Sequence, residues 1–231
     1  MLSAFYSDAL LIVMTEQNYT PKIKICGITN LEDARFAAGA LVDYLGFIFY
    51  EKSPRYIEPG EAGAIINWLE GPEKVGVFVN QPLDDVNSIA KQTGLDIVQL
   101  HGDESPEYCG LIEKPVIKVI HIEEESVDYL LKHQIEQYSE VADYFLFDTK
   151  IDGLWGGTGT IFDWSMINRM DVDIPFFLSG GLKAENIKEA IGTVQPFAID
   201  VSSSLEQKPG LKDFAKIEAF MDEVNSLETK E

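Results

Sequence analysis

A cysteine closes the run Lys22-Ile23-Lys24-Ile25-Cys26, and Gly27-Ile28-Thr29 follows at once. A thiol set where a short β-rich stretch gives way to a turn, with no second cysteine nearby, suits neither a disulfide nor a metal. It is placed to react. A carboxylate occupies a comparable setting much later, in Phe147-Asp148 ahead of Gly156-Gly157-Thr158-Gly159. One thiol and one carboxyl group facing each other across a pocket would make an acid–base pair, one side giving a proton and the other taking one.

Eight short apolar, β-branched or aromatic runs are available to position them: Lys22–Cys26, Tyr44–Tyr50, Lys74–Asn80, Asp96–Leu100, Pro115–Ile120, Tyr144–Asp148, Pro175–Ser179 and Phe197–Val201. Between them lie stretches with helical spacing, at Leu31–Gly39, Gly60–Leu69, Asp84–Thr93, Asp163–Met170 and Ala184–Ile191, and Leu211–Leu227 closes the chain as an amphipathic helix. Strands alternating with helices predict parallel pairing, and eight such units predict a single (β/α)8 TIM barrel over residues 21–231. An open doubly wound sheet alternates in the same way, but eight is the barrel's number, and no Gly-x-Gly-x-x-Gly follows the first strand.

In a barrel the reacting groups gather at the carboxyl ends of the strands. Read in order, those ends are Cys26, Tyr50, Asn80, His101, His121, Asp148, Ser179 and Ser202. Strands one and six stand three places apart on a ring of eight, so Cys26 and Asp148 are opposed. Lys24 shares the parity of Cys26 and should also point inward, where a buried lysine needs a partner. Asp200 on the adjoining eighth strand is the candidate, giving a Lys24–Asp200 pair that supports the floor of the site and biases Cys26 toward thiolate.

The bulk composition narrows the function. A 231-residue chain with 45% hydrophobic residues has ample material for a large core. Its net charge of −21, with arginine only at 35, 55 and 169, offers no basic stripe for nucleic acid. Two distant cysteines, Cys26 and Cys109, fit a reducing, cytoplasmic setting, and Cys109 reads as packing inside a helical stretch. No Cys/His spacing points to a metal, and His133 belongs to no motif. Residues 1–20 read as a loosely ordered extension: Leu10–Met14 is too short to span a bilayer, no Lys or Arg precedes Lys22, and Met14 is an alternative start.

Several segments together carry a family resemblance: Lys24-Ile25-Cys26-Gly27-Ile28-Thr29, Ser53-Pro54-Arg55, Val77-Phe78-Val79-Asn80, Gln99-Leu100-His101-Gly102, Asp148, Gly156 to Trp164, Ser179-Gly180-Gly181-Leu182 and Asp200-Val201-Ser202-Ser203. In this order, from about Lys22 to the closing helix, the chain resembles phosphoribosylanthranilate isomerase. The resemblance implies a (β/α)8 barrel of tryptophan biosynthesis, a small phosphoribosyl substrate, and no cofactor or metal. The implied reaction is an Amadori rearrangement, with Asp148 as general acid for ring opening and Cys26 as general base at the sugar C2. It further implies that Arg55 meets the anthranilate carboxylate, for which a planar guanidinium is suited.

The loops after strands seven and eight supply a phosphate site from backbone N–H groups, at Gly180, Gly181, Ser202 and Ser203, and so need no excess of positive side chains. Gly157 belongs to a glycine-rich loop suited to closing over the substrate. His101 and Asn80 are candidates to line the pocket, with no chemistry assigned. One departure stands out, since the family commonly has glycine where this chain has Ser204. Two other readings stay open: the histidine-pathway isomerase, which would present an aspartate where Cys26 stands, and a non-catalytic relative, which should have lost Cys26 or Asp148. The sequence leaves the oligomeric state undetermined.

Overall fold

The computed structural model describes residues 19–122, 128–149, 163–170 and 172–227. Eight strands, β1 (Lys22–Cys26), β2 (Tyr44–Ile48), β3 (Glu73–Phe78), β4 (Ile97–Leu100), β5 (Val116–Ile122), β6 (Tyr144–Thr149), β7 (Phe176–Leu178) and β8 (Ala198–Val201), pair in chain order and close into a barrel. Every pairing is parallel, including the seam where Lys24 lies opposite Asp200. The helices on the outside are α1 (Leu31–Gly39), α2 (Pro59–Ile66), α3 (Leu83–Thr93), α4 (Pro106–Cys109), α5 (Asp128–Tyr138), α6 (Ile187–Val194) and α7 (Phe214–Asn225), with a 3-10 turn at Trp164–Arg169. Among the described residues, no helix is long and apolar enough to cross a membrane.

Alternation along each strand divides the core in two. On β1, Ile23 and Ile25 turn outward into the layer between sheet and helices, while Lys24 and Cys26 turn inward. Tyr44, Val75, Ile97, Ile117, Phe177 and Ala198 fill the lower barrel, with the Tyr44 and Phe177 rings edge to face at 5.3 Å. Each of the aliphatic side chains larger than alanine, and Phe177, contributes about 1.5–3 kcal/mol by leaving water. Above this apolar floor the inward positions become polar, and that change marks where the chemistry begins.

Local signals start the helices. Asn30, four residues after Cys26, accepts the Asp33 N–H at 2.8 Å and caps the start of α1. At the other end of the chain, a single helix over Leu211–Leu227 is not what forms. A 3-10 turn (Ser203–Leu205) leads into an antiparallel hairpin of β9 (Glu206–Lys208) and β10 (Leu211–Lys212), and the helix starts only after Asp213, whose carboxylate accepts from Ala215 and Lys216. The Asp163–Met170 stretch is a six-residue 3-10 turn, ended by extended backbone at Met170 and too short to settle into α geometry. The helix expected over Ala184–Ile191 begins three residues later, at Ile187. Helix α5 escapes the sequence reading although Leu131, Ile135 and Tyr138 have helical spacing, because exposed Tyr129 and Leu130 blur its apolar face.

Residues 1–18 and Gly157 lie outside the described residues. Tyr19, within the expected extension, donates its hydroxyl to the Pro196 carbonyl at the barrel's base.

Candidate active site

Cys26 ends β1 at the mouth, and Lys24 stands one layer below it, fully buried. The Lys24 Nζ lies 3.0 Å from Asp200 Oδ2 and donates to Gln99 Oε1 at 2.9 Å. Burial pulls the Lys24 ammonium toward neutrality, but Asp200 and the Cys26 sulfur more than reverse that pull, so the lysine stays charged. For Cys26 the balance falls the other way. Burial first, joined by the Asp200 carboxylate, pushes the thiol up against opposing pulls from Lys24 and Lys212, so the free protein holds a thiol. Of the pair expected to bias Cys26 toward thiolate, Lys24 pulls that way and Asp200 pushes the other, and the net shift is upward. Across the β1–β2 pairing sits Gly46, where a Cβ would come within 2.6 Å of the Cys26 sulfur. The missing side chain makes room for the thiol.

Asp148, near the end of β6, is 4% exposed. Its carboxyl is pushed up to about 7, first by burial and then by Asp200, against smaller opposing pulls from the Thr149 N–H, Lys24 and Ser179. An aspartate held there keeps an acidic proton near neutrality. Gly180 adopts φ +89° beside it, and a Cβ at that position would stand 2.4 Å from Thr149 Oγ1 and 3.3 Å from Asp148 Oδ1. His101 Nε2 approaches Asp148 Oδ2 to 3.6 Å.

Cys26 and Asp148 both line a cleft of about 570 Å³ at the carboxyl ends of the strands. His101 and Arg55 line it too, but Asn80 does not. Asn80 sits in left-handed backbone at φ 51° and turns away, so that its Oδ1 accepts the Asp103 N–H, and Val79 takes its place at the wall. Arg55 presents its fork to an internal partner. Its Nε reaches both Glu206 oxygens at 2.9 and 3.1 Å, and its Nη2 reaches Oε2 at 2.7 Å. Burial would raise the Glu206 carboxyl, yet Arg55 and Lys212 bring it below the usual range. Lys212 itself donates to Glu206 Oε1 at 3.0 Å and to the Cys26 carbonyl at 2.6 Å.

A second compartment of about 620 Å³ adjoins the first and shares Asp148, Ser179, Asp200 and Ser202 with it. Gly180, Gly181, Ser202 and Ser203 line it as their loops predict, and so does Lys183, a cation that the sequence reading passed over. The signal was available, two residues beyond the Gly-Gly pair. Ser204 also lines the compartment, and its buried Oγ has no hydrogen-bond partner among the described residues. Gln99, Glu206 and Lys212 were given no role either, although Gln99 stands in the Gln99-Leu100-His101-Gly102 segment, because their importance lies in what they hold.

Known proteins resemble this chain over most of its length. Residues 23–223 match the family model of N-(5'-phosphoribosyl)anthranilate (PRA) isomerase. An N-(5'-phosphoribosyl)anthranilate isomerase of Geobacter sp. (strain M21) is 44% identical over 208 residues, covering 89% of this chain and 98% of that protein. The phosphoribosyl anthranilate isomerase of Thermotoga maritima is 40% identical with a TM-score of 0.79, covering 89% of this chain and 99% of that one. A solved complex of a phosphoribosyl anthranilate isomerase with reduced 1-(o-carboxyphenylamino)-1-deoxyribulose 5-phosphate is 38% identical with a TM-score of 0.76, at the same coverage of both chains. The chain belongs to the N-(5'-phosphoribosyl)anthranilate isomerase family.

Proposed function

We propose that this protein converts N-(5'-phosphoribosyl)anthranilate to 1-(o-carboxyphenylamino)-1-deoxyribulose 5-phosphate for tryptophan biosynthesis, with Asp148 as general acid and Cys26 as general base. The observation that carries the roles is the aspartate displaced to about 7 in the same cleft as the thiol. Asp148 gives its proton to the furanose ring oxygen as the nitrogen lone pair forms the C1–N double bond and the ring opens. Cys26, as thiolate, takes the C2 proton, and the electron pair flows back to nitrogen to leave an enolamine. A proton passes from Cys26 to C1 while the C2 hydroxyl gives its own to Asp148 and becomes a carbonyl, so the isomerisation ends with both groups as they began. Each transfer by a positioned group is worth roughly 10²–10⁴-fold.

The two compartments suit the two ends of this substrate. A phosphate fits the second, where Gly180, Gly181, Ser202, Ser203 and Lys183 converge, with Ser204 Oγ as a spare hydroxyl for its oxygens. The anthranilate carboxylate fits the side of the first cleft held by Arg55, through guanidinium N–H groups that Glu206 does not occupy. The proposed compartment is the reducing cytoplasm, which keeps the two free, buried cysteines as thiols.

The test is turnover of freshly generated phosphoribosylanthranilate, followed by loss of anthranilate-type fluorescence. Wild type should consume it rapidly, and Cys26→Ser and Asp148→Asn should each lose kcat by at least ~10²-fold while remaining folded. A folded, inactive wild type would overturn the assignment.

A further inference from the structure

Gln99 lies in the middle of β4, one layer below the mouth and 1% exposed. Both ends of its amide face groups that leave no choice of orientation. Lys24 Nζ lies 2.9 Å from Oε1, and an ammonium can only donate, so the amide oxygen must stand on that side. The amide nitrogen is thereby turned toward His101 Nδ1, at 3.1 Å. A carboxamide NH2 can only donate, so Nδ1 must be the bare nitrogen of the ring. His101 is neutral, held well below 6.5 by burial first and then by His121, Lys24 and Lys118. A neutral imidazole carries one hydrogen, and here it sits on Nε2.

That N–H is buried, has no hydrogen-bond partner among the described residues, and points at Asp148, whose Oδ2 is 3.6 Å away. A buried donor left unmade is a cost to the fold. The donor faces the acid, where a charge appears during the proposed reaction.

We propose that Gln99 is a positioning residue of the isomerase: by holding His101 as the Nε2–H tautomer, it keeps a hydrogen-bond donor ready for the Asp148 carboxylate that forms when the proton leaves. His101 neither gives nor takes a proton in this step. The charge that appears on Asp148 meets a hydrogen already aimed at it, and closing a few tenths of an ångström completes the bond. The inference rests on Asp148 being the general acid.

The same lock answers another reading of these side chains. Ligand-type atoms of His101, His121 and Asp148 lie within 4.8 Å of one another, a set with the composition of a metal site. A metal on His101 Nε2 would move the ring hydrogen to Nδ1, where Gln99 offers only hydrogens. The geometry favours a donor poised for Asp148 over a ligand.

The experiment is a two-bond 15N–1H correlation on histidine-labelled protein, with the His101 signals assigned by their loss in His101→Asn. Wild type should show His101 as Nε2–H. Gln99→Glu offers oxygens to both neighbours, so His101 should switch to Nδ1–H. The same variant should lose kcat by about 10- to 100-fold with KM changed by no more than about twofold, the loss of one charge-assisted bond. If Gln99→Glu does not fold, Gln99→Met, which neither donates nor accepts at that site, should show both tautomers and a similar fall in kcat. A wild-type His101 in the Nδ1–H form, a variant that keeps the wild-type tautomer, or a switched tautomer with unchanged kcat would each overturn the proposal. Failure of the Asp148 assignment would instead appear as unimpaired turnover by Asp148→Asn, with the tautomer unaffected.

Discussion

With the Asp148 carboxyl at about 7 and the Cys26 thiol pushed up by burial, the two groups lose their protons in the order opposite to their use. Between the two values the free enzyme carries a carboxylate and a thiol, while the productive form, acid plus thiolate, differs only by one proton moved between them. The fraction in that form is constant across the interval, because both arrangements hold the same number of protons. kcat/KM should therefore rise toward pH 7, stay level, and fall only in the thiol range. A steady-state pH series checks this: a rate that is flat in acid and falls through about 7 would mean that no thiol titrates in the mechanism. Cys26, Asp148, Lys24 and Asp200 could be read from the sequence because strand parity and ring position are geometric facts once eight strands are counted. Gln99 could not be assigned that way. An amide's role is set by the polarity of its neighbours, and those come from β1 and from the residue just past the end of β4.

The hairpin β9–β10 does for Arg55 what β1 does for Cys26. Glu206 grips the guanidinium, and Lys212 ties Glu206 to the Cys26 carbonyl, so one short hairpin references both the binding arginine and the end of the first strand. Reading Leu211–Leu227 as one helix hid this, since a two-residue strand has too few positions to show a period of two. Glu206→Gln should raise KM by about tenfold with a smaller change in kcat, and Arg55→Lys should do the same by losing the planar fork. Initial-rate kinetics decide it. A lower KM in Glu206→Gln would mean that the glutamate competes with the substrate carboxylate and does not orient its partner. A second brace shows the same logic away from the chemistry. Glu104 accepts N–H groups from Asn80 and Gly102 and pairs with Lys118 at 2.9 Å, tying the ends of β3 and β4 to the body of β5.

Keeping Asp148 protonated has a consequence for stability as a whole. Its carboxyl lies near 3.8 in an unfolded chain and at about 7 in the fold, so the folded state binds more protons between those values. Stability should therefore fall as pH rises through that window, with the effect complete above 7 and capped on the order of ~4 kcal/mol. Asp148→Asn, which keeps the shape without the charge, should be more stable than wild type at pH 8 and close to it at pH 4. Urea unfolding at the two pH values tests this, and an equal difference at both would contradict it. The barrel as a whole was readable because its alternation is repeated eight times. Its terminal hairpin was not, because it occurs once. The seam between β1 and β8 carries one further implication, about time. A chain made from its amino end produces Cys26 and Lys24 first, while Asp200, Glu206 and Lys212 arrive some 175 to 190 residues later. Until then Lys24 has no carboxylate with which to be buried and Arg55 has no grip. Closing the barrel and switching on the catalyst are thus a single event, and a ribosome-bound fragment that stops short of the hairpin carries the thiol without the enzyme.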